Sequence, residues 1–150
     1  MDRYLILYMK ICQYNCQSLK NNKSTINFYL NNYNVDICLL SEMFKCEDSD
    51  PNYKIINYNV IVKTRKDNYG GTAIAFRKNI KVRQIKFTTD YDILIAQTTN
   101  LSKNFTIVSV YFPPKVRLVA FKNEIEKLLI FLTSFSNVIL ARDFNARNRC

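Results

Sequence analysis

No histidine occurs in the 150 residues, and glycine occurs only twice, side by side at Gly70 and Gly71. With no imidazole, and no second close cysteine pair to join Cys12 and Cys16, the chain lacks the ligands of a structural zinc site. No apolar run approaches the ~18–20 residues that cross a bilayer, so no membrane association is expected. The opening stretch, Met1 to Lys10, is apolar for only six residues between charges. That is too short for the core of a signal peptide, and no small-residue cleavage site follows. An intracellular product is expected. The five cysteines, Cys12, Cys16, Cys38, Cys46 and Cys150, are an odd number. Without an export signal this argues against a disulfide framework and for buried free thiols.

What the chain does contain is enough apolar residues, 48%, for a core of its own, and its length reads as one domain. The net charge of +10 points to a polyanionic partner such as nucleic acid. An A+T-rich coding sequence, which yields many Lys, Asn, Ile and Tyr codons, gives the same excess, so distribution matters more than the total. Eight basic residues, Lys63, Arg65, Lys66, Arg77, Lys78, Lys81, Arg83 and Lys86, fall in one stretch whose only acid is Asp67. Such a run is either a nucleic-acid surface or a solvated basic face.

Hydrophobic patterning divides the chain into strands and two helices. Leu5 to Gln13 reads as a first strand. Asn22 to Tyr33 carries Ile26, Tyr29, Leu30 and Tyr33 at helical spacing, with Ser24 as a cap. Asp36 to Ser41 is a short continuous apolar run, the mark of a strand buried on both faces. Strand, helix, strand implies a parallel pair. Tyr53 to Lys63, Gly71 to Arg77, Lys81 to Phe87, Ile93 to Thr99 and Phe105 to Tyr111 then alternate with polar turns. After Pro113-Pro114, a helix over Lys115 to Ser134 sets Phe121, Ile125, Leu128, Leu129 and Leu132 on one stripe. Asn137 to Ala141 is a final buried strand. The fold class is α/β, a mixed sheet with two main helices.

Polar groups stand where the strands stop, which is where α/β folds place ligands. Asn15 follows the first strand, Glu42 closes the second buried run, Tyr111 ends the strand before the proline pair, and Asp143 and Asn145 follow the last apolar run. A carboxylate at a strand end holds a hard cation such as Mg²⁺, which takes oxygen ligands and keeps several waters. Carboxamides beside it position water and phosphate. Taken singly, Glu42 is as well read as a solvated strand end and Asn15 as a turn former.

Five segments together resemble a known family. Ile11-Cys12-Gln13-Tyr14-Asn15-Cys16-Gln17-Ser18-Leu19 is similar to the opening motif of the apurinic-endonuclease-type, Jockey-like endonucleases of non-LTR retrotransposons. These belong to the endonuclease/exonuclease/phosphatase superfamily. Leu39-Leu40-Ser41-Glu42 resembles the segment bearing that family's metal-binding glutamate. Gly70-Gly71-Thr72-Ala73-Ile74-Ala75 resembles its glycine-led strand, and Val108 to Pro114 its tyrosine–proline segment. Ile139-Leu140-Ala141-Arg142-Asp143-Phe144-Asn145-Ala146 resembles its strand ending in Gly-Asp-Phe-Asn-Ala. The resemblance covers the whole chain and implies a deoxyribonuclease-I-like, four-layer α/β sandwich. It implies metal-dependent hydrolysis of a phosphodiester, with Mg²⁺ or Mn²⁺ as cofactor and DNA as partner. Glu42 would bind the metal, Asn15 support the metal and phosphate side, and Tyr111 hydrogen-bond the scissile phosphate. Asp143 would align or deprotonate the attacking water, with Asn145 orienting the same centre. In that setting the nick is made in the nucleus, and the freed 3′ hydroxyl primes a reverse transcriptase domain of the same element.

Two departures from the family stand out. Its closing Ser-Asp-His-type segment has no counterpart, since the chain has no histidine and stops at Cys150, and Arg142 stands where the family has glycine. A cation beside Asp143 either pairs with it, lowering its basicity, or meets DNA phosphate. Residues 1–150 are therefore expected to form a domain whose C-terminal portion is missing. That domain would hold the first sheet and only one strand of the second, Asn137 to Ala141. The uncovered sheet face would favour aggregation, and the nicking activity would be impaired. The rival readings are a non-catalytic nucleic-acid-binding remnant, a degenerate fragment, and, within the superfamily, an inositol-phosphate phosphatase or a deadenylase.

Overall fold

The computed structural model describes residues 8–44, 54–65 and 69–143, the side chains of Arg142 and Asp143 excepted. Their elements run β1 (Ile11–Asn15), α1 (Leu19–Asn32), β2 (Ile37–Ser41), β3 (Tyr58–Lys63), β4 (Thr72–Arg77), β5 (Val82–Ile85), β6 (Asp92–Thr98), β7 (Thr106–Tyr111), α2 (Leu118–Leu132) and β8 (Val138–Asp143). Residues 5–7 and Tyr53, which the sequence assigns to strands, lie outside the described residues.

The β1–α1–β2 unit is parallel, as its order implies, in register from Ile11↔Ile37 to Asn15↔Ser41. Helix α1 starts earlier than its periodicity indicates. Ser18, not Ser24, is the cap, and its side chain accepts from Asn21 N at 3.4 Å. A tertiary bond decides between the two serines: Ser18 N donates to Glu42 O at 2.9 Å, fixing the chain just before the first turn. At the other end Asn34 adopts φ 52°. Val35 N reaches back to Leu30 O at 3.0 Å and Asn34 N to Asn31 O at 3.3 Å. This double bond past a left-handed residue closes the helix, and Val35 packs with Leu30 beneath it. Leu19, Ile26 and Leu30 are buried. Tyr29 and Tyr33, expected on the same stripe, are exposed and stack on each other at 5.8 Å. They project beside β1, the edge of its sheet, where no described strand lies beneath them.

Strand β2 is buried along its whole length, as expected of an apolar run enclosed on both faces. Alternation sends Cys38 and Leu40 into the cluster under α1, and Ile37 and Leu39 into a second cluster. That second cluster corrects the sequence reading. The strands form two four-stranded sheets, β1-β2-β4-β3 and β5-β6-β7-β8, so the second sheet holds four described strands, not one. The physical reason lies in β4. Its two edges are taken by β2 and β3, so the chain leaving Arg77 finds no free neighbour and turns at 78–81 into another layer. There β5, β6 and β7 pair antiparallel, and β8 joins β7 in parallel. Ile37, Leu39, Ile74 and Phe76 of one sheet face Leu94, Ala96 and Ile107 of the other. The inner apolar face is therefore covered within the chain.

Helix α2 closes the outer face of the second sheet, burying Leu128 and Leu132 against Ile93, Ile95, Val108 and Val110. Leu129, the one member of its expected stripe that faces solvent, is 54% exposed. The layers are thus helix, sheet, sheet, helix. Among the described residues no helix is long and apolar enough to cross a membrane.

Candidate functional site

Strand register brings one end of both sheets together. Across the first sheet Asn15 pairs with Ser41, Ser41 with Thr72, and Thr72 with Lys63. Across the second, Asp92 pairs with Tyr111 and Tyr111 with Asp143. Cross-layer bonds lock the two rows to the same mouth. Gly71 N donates to Asp92 Oδ2 at 3.0 Å, Lys63 Nζ donates to Thr89 O at 3.3 Å, and the Thr72 and Ser109 hydroxyls lie 2.5 Å apart. All four parallel strands, β1, β2, β7 and β8, point their C-terminal ends here.

Three of the loops at this end are stitched by main chain. Cys16 N meets Ser41 O at 2.9 Å, Leu19 N meets Met43 O at 3.2 Å, and Phe44 N meets Gly70 O at 2.9 Å. Left-handed backbone concentrates in the same place, at Gln17 (φ 39°), Ser18 (83°), Glu42 (54°), Phe44 (56°), Gly70 (79°) and Gly71 (84°). Among the described residues, those of positive φ away from this mouth are asparagines, Asn34, Asn57 and Asn137, for which the conformation is ordinary in turns. At the mouth, glutamate and phenylalanine adopt it, and such strain persists only where the surrounding structure over-determines it.

Glu42 is half-buried, and among the described residues no cation pairs with its carboxylate. Asn15 is the last residue of β1, not the one after it, and its Oδ1 accepts from Gln17 N at 3.2 Å, which fixes the carboxamide. Tyr111 ends β7 and is buried. Asp143 is the last residue of β8, so its backbone stands beside Tyr111 in register. Its side chain and that of Arg142, and all of Asn145 and Lys66, lie outside the described residues.

Beneath the mouth is a carboxylate that sequence reasoning passed over. Asp92, 2% exposed, accepts from Gly71 N and pairs with Arg65 at 3.8 Å. A methyl group added at Gly70 would stand 3.0 Å from Arg65 Cδ, Asp92 Oδ2 and Tyr111 Cε1 alike. The glycine pair is required by this crowding as well as by its positive φ. Gly70→Ala is expected to cost about 2–4 kcal/mol, combining left-handed backbone with overpacking. Urea denaturation measures it, and a loss below ~0.5 kcal/mol would mean that the three neighbours yield freely.

The basic stretch does not form one surface. Lys63 and Arg65 lie at the mouth, and burial pulls the Lys63 ammonium below its usual range. Arg77 and Lys78 lie at the other end of β4, about 17 Å away at the rise of a strand. There Arg77 Nε donates to Val35 O at 2.9 Å and its guanidinium lies near Asp36. Lys81 is also at that far end, next to Val82, which pairs with Thr98. Arg83 is tied to Gln97 at 2.7 Å, and Lys86 follows β5 on the side nearer the mouth.

Among the described residues no three His, Cys, Asp or Glu side chains cluster into a closed metal cage. Mg²⁺ does not need one, since one or two carboxylates and several waters suffice. The Glu42 carboxylate, uncommitted to a described cation, and the oriented Asn15 carboxamide are oxygen donors that fit it.

No family model and no curated protein matches the chain by sequence. Solved structures match its fold. The endonuclease domain of TRAS1, a telomere-specific non-LTR retrotransposon, superposes with TM-score 0.74 at 20% identity, over 93% of this chain and 62% of that one. An AP endonuclease from Leishmania major gives 0.73 at 16% identity, over 94% and 56%. An AP endonuclease from Archaeoglobus fulgidus gives 0.69 at 18%, over 93% and 58%. The chain has the deoxyribonuclease-I-like α/β fold of these structures. It spans less than two thirds of the length of these neighbours. Within this deoxyribonuclease-I-like architecture, the mouth gathers Asn15, Glu42, Tyr111 and the Asp143 backbone from four strands of the two sheets. Asp92 carried no sequence signal, because the bonds that define it join residues 21 or more positions apart.

Proposed function

We propose that the chain belongs to a metal-assisted phosphodiesterase, and specifically to a DNA-nicking endonuclease domain of the non-LTR retrotransposon kind. The observation that carries the reading is the convergence of the ends of β1, β2, β7 and β8, with Asn15, Glu42, Tyr111 and Asp143, on one mouth. The solved structures of like fold are endonucleases, and among others a Neisseria 3′ phosphatase bound to a DNA hairpin. That supports a phosphodiester in DNA as the substrate.

In this reading Glu42 and Asn15 hold Mg²⁺ or Mn²⁺. A bound cation neutralises charge as it builds on the phosphoryl oxygens. Tyr111, on the inner wall beside Gly70, donates a hydrogen bond to a phosphate oxygen. Asp143 takes the proton of the attacking water, and Asn145 orients the same centre. Water's oxygen bonds to phosphorus as the bond to the 3′ oxygen breaks, and that oxygen leaves as a hydroxyl after gaining a proton. Residues 1–150 contain no imidazole to give that proton, so in the isolated segment solvent water supplies it and turnover is slow, by ~10²–10⁴ where a positioned general acid is lacking. In a retrotransposon the product hydroxyl primes a reverse transcriptase in the nucleus.

Supercoiled plasmid incubated with the chain and Mg²⁺ or Mn²⁺ tests this. Slow conversion to the nicked circle is expected, abolished by EDTA and by Asp143→Asn. Equal conversion with and without metal would overturn the proposal.

A further inference from the structure

Cys12 and Cys38 stand opposite each other in the parallel β1–β2 pair, in direct register. Adjacent strands run about 4.8 Å apart, inside the ~4.4–6.8 Å that a disulfide spans between Cα atoms. Both side chains point to the α1 side of the sheet, so the two thiols lie next to each other beneath the helix. The sequence reading made them buried free thiols, and burial holds for only one of the two. Cys38 is fully buried, whereas Cys12 is only half-covered, since among the described residues no strand pairs with the other side of β1. A groove of about 540 Å³ opens there between β1 and α1, lined by both cysteines with Ile26, Leu30, Tyr29 and Tyr33. A small oxidant therefore has a route to the pair in the folded chain.

The two sulfurs are not equivalent. The hydrogen bond from Cys38 draws the Cys12 thiol below its ordinary range, against the opposing pull of burial. The same bond, with burial, raises Cys38 far above its own. Cys12, the partly exposed member of the pair, is the sulfur that an oxidant entering the groove meets first. Cys16, in the same cluster, is held elsewhere, with Sγ donating to Ser41 O at 2.9 Å and lying 3.5 Å from Met43 Sδ.

We propose that Cys12 and Cys38 form an oxidisable dithiol, which hydrogen peroxide converts to a disulfide between β1 and β2. The Cys12 thiolate attacks one peroxide oxygen, the O–O bond breaks, and Cys12 becomes a sulfenic acid as hydroxide leaves. The Cys38 sulfur then attacks the Cys12 sulfur. The S–O bond breaks, and the departing hydroxyl takes the Cys38 proton as water. Two electrons pass from the thiols to the peroxide. Parallel partners keep their Cβ atoms near the strand spacing, wider than the ~3.5–4.5 Å of a relaxed bridge. The disulfide is therefore strained and easily reduced. It would pin the two strands three residues before Asn15 and four before Glu42. The proposal stands apart from the hydrolysis reading, whose failure would leave it intact.

The test is peptide mapping of the reduced, folded chain after peroxide treatment and alkylation. The tryptic peptides 11–20 and 24–45 are expected to emerge joined, lighter by two hydrogens, with fragmentation placing the link on Cys12 rather than Cys16. Dithiothreitol is expected to separate them. Cys38→Ser is expected to leave Cys12 as a sulfenic acid that dimedone traps. Should that variant fail to fold, the map of the unaltered chain decides alone. Cys12 advancing to sulfinic acid while Cys38 stays alkylatable, a link to any other cysteine, or no oxidation where the urea-unfolded chain is oxidised would each overturn the proposal.

Discussion

Exchanging Glu42 for glutamine is expected to weaken divalent-metal binding by about 100-fold or more, and to remove residual phosphodiester cleavage with it. Outer-shell partners of metal ligands alone are worth ~10–100-fold, and a hard cation depends on the ligand's charge more than on its shape. The exchange keeps the volume, the left-handed backbone of 54° and the main-chain bond from Ser18 N to Glu42 O. Folding is therefore spared while the charge is lost. Mn²⁺ titration followed by electron paramagnetic resonance reads the binding directly, without reliance on turnover. Equal affinity in the two proteins would remove Glu42 from the site. Asp92 cannot substitute for it, because its Oδ2 is already taken by Gly71 N and Arg65.

Leu39→Ala and Leu40→Ala are expected to destabilise the fold alike, each by about 2–5 kcal/mol, the usual cost of emptying a closed core site. In a domain of this size that is a fall in melting temperature of roughly 4–20 °C. The pair tests the layering. Leu40 faces α1 and Leu39 faces the second sheet, with at most 1% of either exposed. A molecule whose first sheet lay bare on its inner side would feel the loss of Leu40 and hardly notice that of Leu39. Leu129→Ala, on the solvent side of α2, provides the control and is expected to change stability by no more than ~0.5 kcal/mol.

That expected equality also marks where the sequence misled. Alternation located β5, β6 and β7 well, because a strand's period is local, but it is silent on which sheet a strand joins. Membership was set by β4, whose two edges were already occupied by β2 and β3. The cap of α1 failed for a similar reason. Ser18 and Ser24 are equivalent in local chemistry, and Glu42, in a different loop, chose between them. The candidate site was more legible. Asn15, Glu42 and Tyr111 sit at strand ends, and strand ends can be read from where apolar runs stop. The basic stretch looked like one feature because its residues are consecutive. A strand of six residues, Thr72–Arg77, carries the chain from the mouth to the far end and divides it.

The stitching of the mouth bears on how such a shape persists. The bonds joining the loops after β1 and β2 to the glycine turn run from amide to carbonyl, from Cys16, Ser18, Leu19, Met43 and Phe44 to Ser41, Glu42, Met43, Gly71 and Gly70. A backbone amide donates equally well whatever side chain hangs beside it. Substitutions can therefore accumulate along these loops without opening the aperture, provided the two glycines keep their left-handed turn. Drift of that kind erodes the resemblance between sequences and leaves the outline of the fold standing. The chain shares its fold with TRAS1's domain at only 20% identity. The parts of the aperture exposed to erosion are the few positions where a side chain itself is the functional atom.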